Sequence, residues 1–296
     1  MPGRITRLAV PPAREAILAW NAPRPLSLDL RVHLLDGRCS AWLPYVRLAP
    51  WRSCSSRDST VVIEVDRLLP TTSLIAVEVR SEGIVDRLSL ATPPGESRDT
   101  EAAFGAIHLL HDPPALTQRI PGGEGWCNAA SLAMLLGYWA SLSDIYSGTV
   151  EVAAIAAEID DPAYGGTGNW TFATAVAAHR GLCAVVAYCA DLAILARLLA
   201  AQIPCAVAIA WRDGQLPGAP LPASTGHILV VVGLSGDGGV EVYDPALPDV
   251  IGRYPVTAFM ACWREAGGVG YALSPPDSAT LLYRILGASS INEYAP

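Results

Sequence analysis

The chain has 296 residues, enough for two domains at roughly 150 residues each, and its 51% hydrophobic and 16% charged residues exclude a disordered chain. The net charge of −8 argues against a nucleic-acid groove, and because all 20 basic residues are arginine, Schiff-base lysine chemistry and a lysine-dependent phosphate loop are excluded. No apolar run reaches the roughly 18 residues of a membrane span, and Pro12, Arg14 and Glu15 interrupt the start before a signal-peptide core could form, so the expectation is a cytoplasmic protein with neither membrane nor nucleic-acid partners.

Leu26, Leu28, Leu30, Val32 and Leu34 alternate with Ser27, Asp29, Arg31 and His33, the period of two that marks a half-buried strand. Val61–Val65 and Leu74–Val79 follow in the same style between Pro and Ser/Thr turns, so residues 1–98 are predicted to form a β-rich, sandwich-like N-terminal domain. The Pro, Gly and charged residues of Thr92–Asp99 have the composition of an interdomain connection, which places the second domain at 99–296.

Beyond it the pattern lengthens into predicted helices over Asn128–Ala140, Val150–Ile159, Thr171–Arg180 and Leu192–Gln202. Strands return at Cys205–Trp211, His227–Leu234 and Val240–Tyr243, with Ser235-Gly236-Asp237-Gly238-Gly239 as a hairpin turn between the last two. Helices followed by an antiparallel sheet define an α+β domain.

Seven cysteines in the expected reducing compartment need no disulfide framework, and their odd number leaves at least one thiol free. Cys127 stands where the glycine-rich GEGW loop runs into a helix, a place where backbone N–H groups and the helix dipole favour thiolate over thiol. The alternative is a buried core cysteine at a helix start. His227 opens one strand of the hairpin and Asp244 ends the other, so the turn brings them to the same open end. There an aspartate can fix one imidazole nitrogen and leave the other to act on a thiol.

His108 and His111 are spaced H-x-x-H without an accompanying C-x-x-C, and no metal site is expected. Cys183, Cys189 and Cys205 lie in Ala/Val-rich segments as small hydrophobes, and Arg47, Arg52 and Arg57 could meet an acidic partner or simply form a solvated face. No G-x-S-x-G, Walker loop or dinucleotide-binding glycine motif is present, which excludes serine-hydrolase and nucleotide readings.

The order Cys, His, Asp, carried by WCNAASLAMLLGYW, GNWTFATAVAAHRGL, GHILVVVGL and VYDPA, resembles the papain-like cysteine peptidases of the bacteriocin-leader-processing type over residues 115–275. The resemblance implies a papain-like α+β domain with Cys127 as nucleophile, His227 as general base and acid, Asp244 as its orienter and Gln118 as oxyanion-hole donor. It also places Trp126, Asn128, Asn169 and Trp170 along the substrate cleft. Leader peptidases carry the glutamine six residues before the cysteine, where this chain has Pro121; Gln118 is nine before.

A Cys-His-Asp site forms an acyl-S-enzyme whose fate depends on the nucleophile that reaches it. Hydrolysis would make the protein a cysteine peptidase or thioesterase with a dedicated substrate. Attack by the acidic carbon of a β-ketoamide would close a tetramic acid or pyridone ring. This outcome resembles the Dieckmann cyclases of actinobacterial polyketide–peptide pathways, and two features favour it: the expected lack of an export signal, and Cys127-Asn128-Ala129-Ala130 where the common relatives read Cys-Ser-Pro-Thr or Cys-Gly-Pro. It implies an acyl or peptidyl carrier protein as partner, with the substrate arriving on phosphopantetheine and no cofactor resident in the enzyme.

Overall fold

The computed structural model describes residues 4–48, 51–94, 105–142 and 150–286, together with the backbone of 291–293. The first half consists of two antiparallel sheets. One runs in the order Arg4–Ala13, Leu74–Ser81, Leu28–Leu34, Leu43–Leu48, Trp51–Ser53. Leu28–Leu34 buries every second residue, as its sequence alternation requires. Arg4–Ala13 contains Pro11 and Pro12 and lies at the edge of this sheet, where a missing N–H breaks no ladder between neighbours; its register slips between Ala9 and Ala13.

The second sheet runs Ile291–Glu293, Arg87–Ala91, Ala16–Asn21, Arg67–Pro70, Val61–Glu64, Ser56–Arg57. Its outermost strand comes from the far end of the chain and pairs antiparallel with Arg87–Ser89. The predicted connection at 92–99 lies largely outside the described residues, which resume at 105.

Ala16–Asn21 is buried at all six positions, so no alternation could reveal it as a strand. Both halves of the chain cover it: Trp20 meets Tyr45 of the first sheet and Phe172 of the second half edge-on, each at 6.0 Å, and the Asn21 amide donates to Ala184 O at 2.8 Å and accepts from Ala184 N at 2.9 Å. The two halves therefore share one continuous apolar core.

The second half combines helices with an antiparallel sheet of order Cys183–Tyr188, Val269–Ser274, Cys205–Trp211, Ser224–Ser235, Gly239–Tyr243, Ile251–Pro255; the short strand Ile107–His108 also pairs with Ser224–Ser235. The helices are α1 Cys127–Leu142, α2 Val152–Ile159, α3 Trp170–His179, α4 Leu192–Ala200, α5 Val256–Glu265 and α6 Ala279–Leu286. The first four occupy the predicted segments within two residues at each end. Helices α5 and α6 and the strands at 183–188, 251–255 and 269–274 were not anticipated.

Helix α1 is central: Asn128–Leu136 is buried without a break, with the sheet on one side and α2 and α3 on others. A helix enclosed in this way has no polar face and so no amphipathic signature. None of the described helices is long and apolar enough to cross a membrane.

Candidate active site

The loop before α1 turns at Gly122 and Gly125, both in the left-handed region (φ 77° and 87°) that glycine adopts without a Cβ clash. Ala130 N donates to Trp126 O at 2.9 Å, which starts the helix and makes Cys127, half-buried, its first residue. The thiol therefore sits at the positive end of a helix whose first N–H groups have no intrahelical acceptor. Four residues on, Ser131 Oγ donates to Ile228 O at 3.1 Å and ties the first turns of α1 to the strand beside His227.

His227 lies in Ser224–Ser235, paired with Ile209 on one side. Across the hairpin a straight ladder from Ser235↔Gly239 would set Tyr243 opposite Val231, but a bulge between Val231 and Gly233 sets it opposite Val230. The ladder ends there. Asp244 lies beyond it, in a tight turn where its N–H donates to Val250 O at 2.7 Å and its carbonyl accepts from Leu247 N. Histidine and aspartate are thus not register partners. The turn swings the carboxylate back across the hairpin end until Oδ1 accepts from His227 Nε2 at 2.7 Å.

Two further donors hold this carboxylate in place. Oδ1 also accepts from Ala246 N at 2.9 Å, and Oδ2 accepts from the Tyr254 hydroxyl at 2.7 Å. With Nε2 committed to Asp244, Nδ1 is the nitrogen left for the hydrogen bond with the Cys127 thiol. Trp211 stands edge-on to the imidazole, centroids 5.7 Å apart at 83°, and its own Nε1 is anchored to Leu221 O at 3.0 Å. His227 and Asp244 are 5% and 0% exposed, so the pair works away from bulk water.

Burial alone would raise the Cys127 thiol and depress the imidazole; the partners reverse both effects. For Cys127, burial is outweighed by the hydrogen bond and charge of His227, with the Ile228 and Asn128 N–H groups, and the thiol titrates below its ordinary value. For His227, burial is outweighed by the hydrogen bonds to Asp244 and Cys127 and by their charges, and it is pushed up to about 10. Asp244 is held below the usual carboxylate range because His227, Tyr254 and Ala246 N overcome the cost of its burial. All three directions favour a thiolate–imidazolium–carboxylate array at neutral pH.

The other expected site residues divide. Gln118 lies beside this array: its N–H donates to Pro245 O at 3.0 Å, Thr117 Oγ1 donates to the same oxygen, and Arg119 Nε donates to Ala246 O at 2.7 Å. Its buried Oε1 has no hydrogen-bond partner among the described residues. Trp126 and Trp170 are half-buried and pack against the core.

Asn128 and Asn169, expected along the substrate, are instead fully buried, with their amides spent inside the protein. Asn128 donates to Thr167 O at 2.7 Å and accepts from the Tyr271 hydroxyl at 2.8 Å. Asn169 caps α3, accepting from Thr171 N and Phe172 N, and donates to Asp161 at 2.9 Å. On an enclosed helix, the residue after Cys127 points inward.

Tyr254 and Trp211 have no motif around them and were not singled out in the sequence; only the chain's folding brings them to the histidine and aspartate. His108 pairs with Glu241 at 3.2 Å. No group of metal-binding side chains occurs among the described residues.

A cysteine at a helix start, a buried histidine beside it and an aspartate hydrogen-bonded to that histidine make a site of the kind that cysteine-based, papain-like enzymes use. The model of the Peptidase_C39-like family matches residues 111–271, more than half of the chain, and the chain belongs to that family. A crystal structure of a C39-like peptidase from Bacillus anthracis aligns with 57% of this chain and 97% of its own, at 16% identity and a TM-score of 0.40, a likeness too distant to bear on activity. No curated protein matches the chain.

Proposed function

We propose that the protein transfers acyl groups through a thioester on Cys127. The observation that carries this reading is the hydrogen-bonded run Cys127–His227–Asp244 at the start of α1. The thiolate adds to the substrate carbonyl, and the resulting oxyanion is met by the N–H groups at the helix start, with the Gln118 amide as the side-chain donor. Protonated His227 gives its proton to the departing amine or thiol; neutral again, it deprotonates the nucleophile that resolves the thioester.

Hydrolysis of a peptide or thioester by water is the leading fate, because 111–271 belongs to a family described as peptidase-like. One of the two sequence arguments for cyclisation rested on the residues after Cys127, and Asn128, Ala129 and Ala130 are all fully buried. Dieckmann cyclisation of a carrier-bound β-ketoamide is the second reading. It is supported by the burial of His227 and Asp244 behind Trp211, which favours a carbon acid over water at the thioester. In that case phosphopantetheine on a carrier protein delivers the chain.

The test is to incubate the pure protein with a synthetic β-ketoamide aminoacyl thioester and with a peptide library, following thiol release and product mass, with Cys127→Ala as control. Product heavier by one water, or cleaved peptides, establishes hydrolysis. Product equal to substrate minus thiol establishes cyclisation. Unchanged turnover by the Cys127→Ala protein removes the mechanism.

A further inference from the structure

We infer that the N-terminal sandwich helps to build the active site, through a buried hydrogen-bond relay in which Asp161 is the positioning residue. The inference rests on Cys127 being the nucleophile. Asp161 is fully buried. Its Oδ2 accepts from Ser53 Oγ at 2.6 Å and from Asn169 Nδ2 at 2.9 Å, and its Oδ1 accepts from Ser53 N and Ala163 N, both at 3.1 Å. Ser53 ends the last strand of the first sheet, so a single carboxylate joins the sandwich to the N-cap of α3.

From there the relay reaches the nucleophile on both sides. Thr167, two residues before the cap, accepts from Asn128 Nδ2 at 2.7 Å with its carbonyl and donates from Oγ1 to Gly125 O at 3.2 Å. Gly125 and Asn128 flank Trp126 and Cys127, so the short segment presenting the thiol hangs from Thr167. The loop from Asp161 is closed tightly: Gly165 N and Gly166 N both donate to Asp161 O, with the two glycines at φ 85° and 149°.

The sandwich grips the same corner by packing. Trp51, two residues before Ser53, stacks on Phe172 at 4.4 Å and 14°, fixing the first turn of α3 against the sheet. A fully buried carboxylate with four donors is a rigid node, and removing its charge or a donor loosens whatever it holds. Here that is the position of the thiol relative to His227, to which catalysis is sensitive on the ångström scale.

The experiment compares Asp161→Asn and Ser53→Ala with the unaltered 296-residue chain. Iodoacetamide labelling of Cys127 is followed by peptide mass spectrometry across pH, with the exposed Cys39 as reference in the same tube, alongside p-nitrophenyl acetate turnover and circular dichroism. Asp161→Asn is expected to slow Cys127 labelling relative to Cys39 by roughly 10-fold or more, to move its midpoint to higher pH and to reduce turnover in step. Ser53→Ala keeps the Ser53 N–H on Asp161 and should shift the same readouts by about 3-fold. A merely structural role would lower thermal stability without moving the labelling midpoint.

Folded variants that label Cys127 at the wild-type rate and midpoint would overturn the inference. If Asp161→Asn does not fold, Ser53→Ala decides alone by the same criterion. The Cys127→Ala control separates the two claims: loss of turnover there with unaffected relay variants defeats the relay only, whereas retained turnover defeats the acyl-transfer reading.

Discussion

Cys127 and Cys205 are the same side chain in two kinds of interior, and they titrate in opposite directions. Cys205, 1% exposed in a central strand, has Cys189 as its hydrogen-bond partner, and that contact, burial and the neighbour's charge all push its thiol well above the ordinary value. Its sulfur donates to Ala206 O and Tyr271 O, both at 3.5 Å. Cys127 is also desolvated, yet an imidazolium and helix-start N–H groups hold it below the ordinary value. Desolvation silences a thiol unless a positive partner is built beside it, and then the low dielectric strengthens that partner's effect.

The largest break in this contrast is Cys127→Ala, which should take acyl-transfer activity to background, a loss on the order of 10⁴-fold, read as turnover of an activated ester. Next, Asp244→Asn should leave a folded enzyme slower by on the order of 10³-fold, because the imidazolium loses its carboxylate and the histidine its fixed tautomer. The alkylation midpoint of Cys127 should rise in the same variant, since its positive partner is then formed less readily. In the wild type, labelling should have a midpoint below that of an ordinary thiol. Turnover that depends on protonated His227 should fall as pH climbs through about 10.

Tyr254→Phe removes one of the three hydrogen bonds on Asp244 and should cost about 10-fold in turnover, with a small rise in the Cys127 midpoint. Smallest is Cys205→Ala: activity within about 2-fold of wild type and stability lower by about 1 kcal/mol, measured as the urea midpoint. A Cys205 variant as damaged in catalysis as Cys127→Ala would erase the distinction between the two thiols.

The strands that alternate were legible because one face is solvated: Leu28–Leu34 is buried at every second residue. Ala16–Asn21, covered on both faces, was not, and neither was Cys183–Tyr188. Helices α2 to α4 were legible from their alanine content, and α1 from its 16-residue length, whereas α5 and α6, with two alanines and one, went unread. In the site, Cys127, His227 and Asp244 could be paired from local signals: a glycine-rich loop running into a helix, a strand start, and a hairpin turn. Asn128 and Asn169 were misplaced onto the substrate because adjacency in sequence does not say which way a residue on an enclosed helix faces.

The sequence by itself determined the α+β pattern, a β-rich first half, the absence of lysine chemistry and the order of Cys127, His227 and Asp244, because each is a local or compositional property. Tertiary structure decided which atoms meet. It bends Asp244 out of the ladder onto His227, brings Tyr254 and Trp211 around them, and sets Ser53 of the sandwich on Asp161. Those contacts join residues 10 to 108 positions apart, and no periodicity encodes them; only the closing of both halves around one core brings such groups within hydrogen-bonding distance.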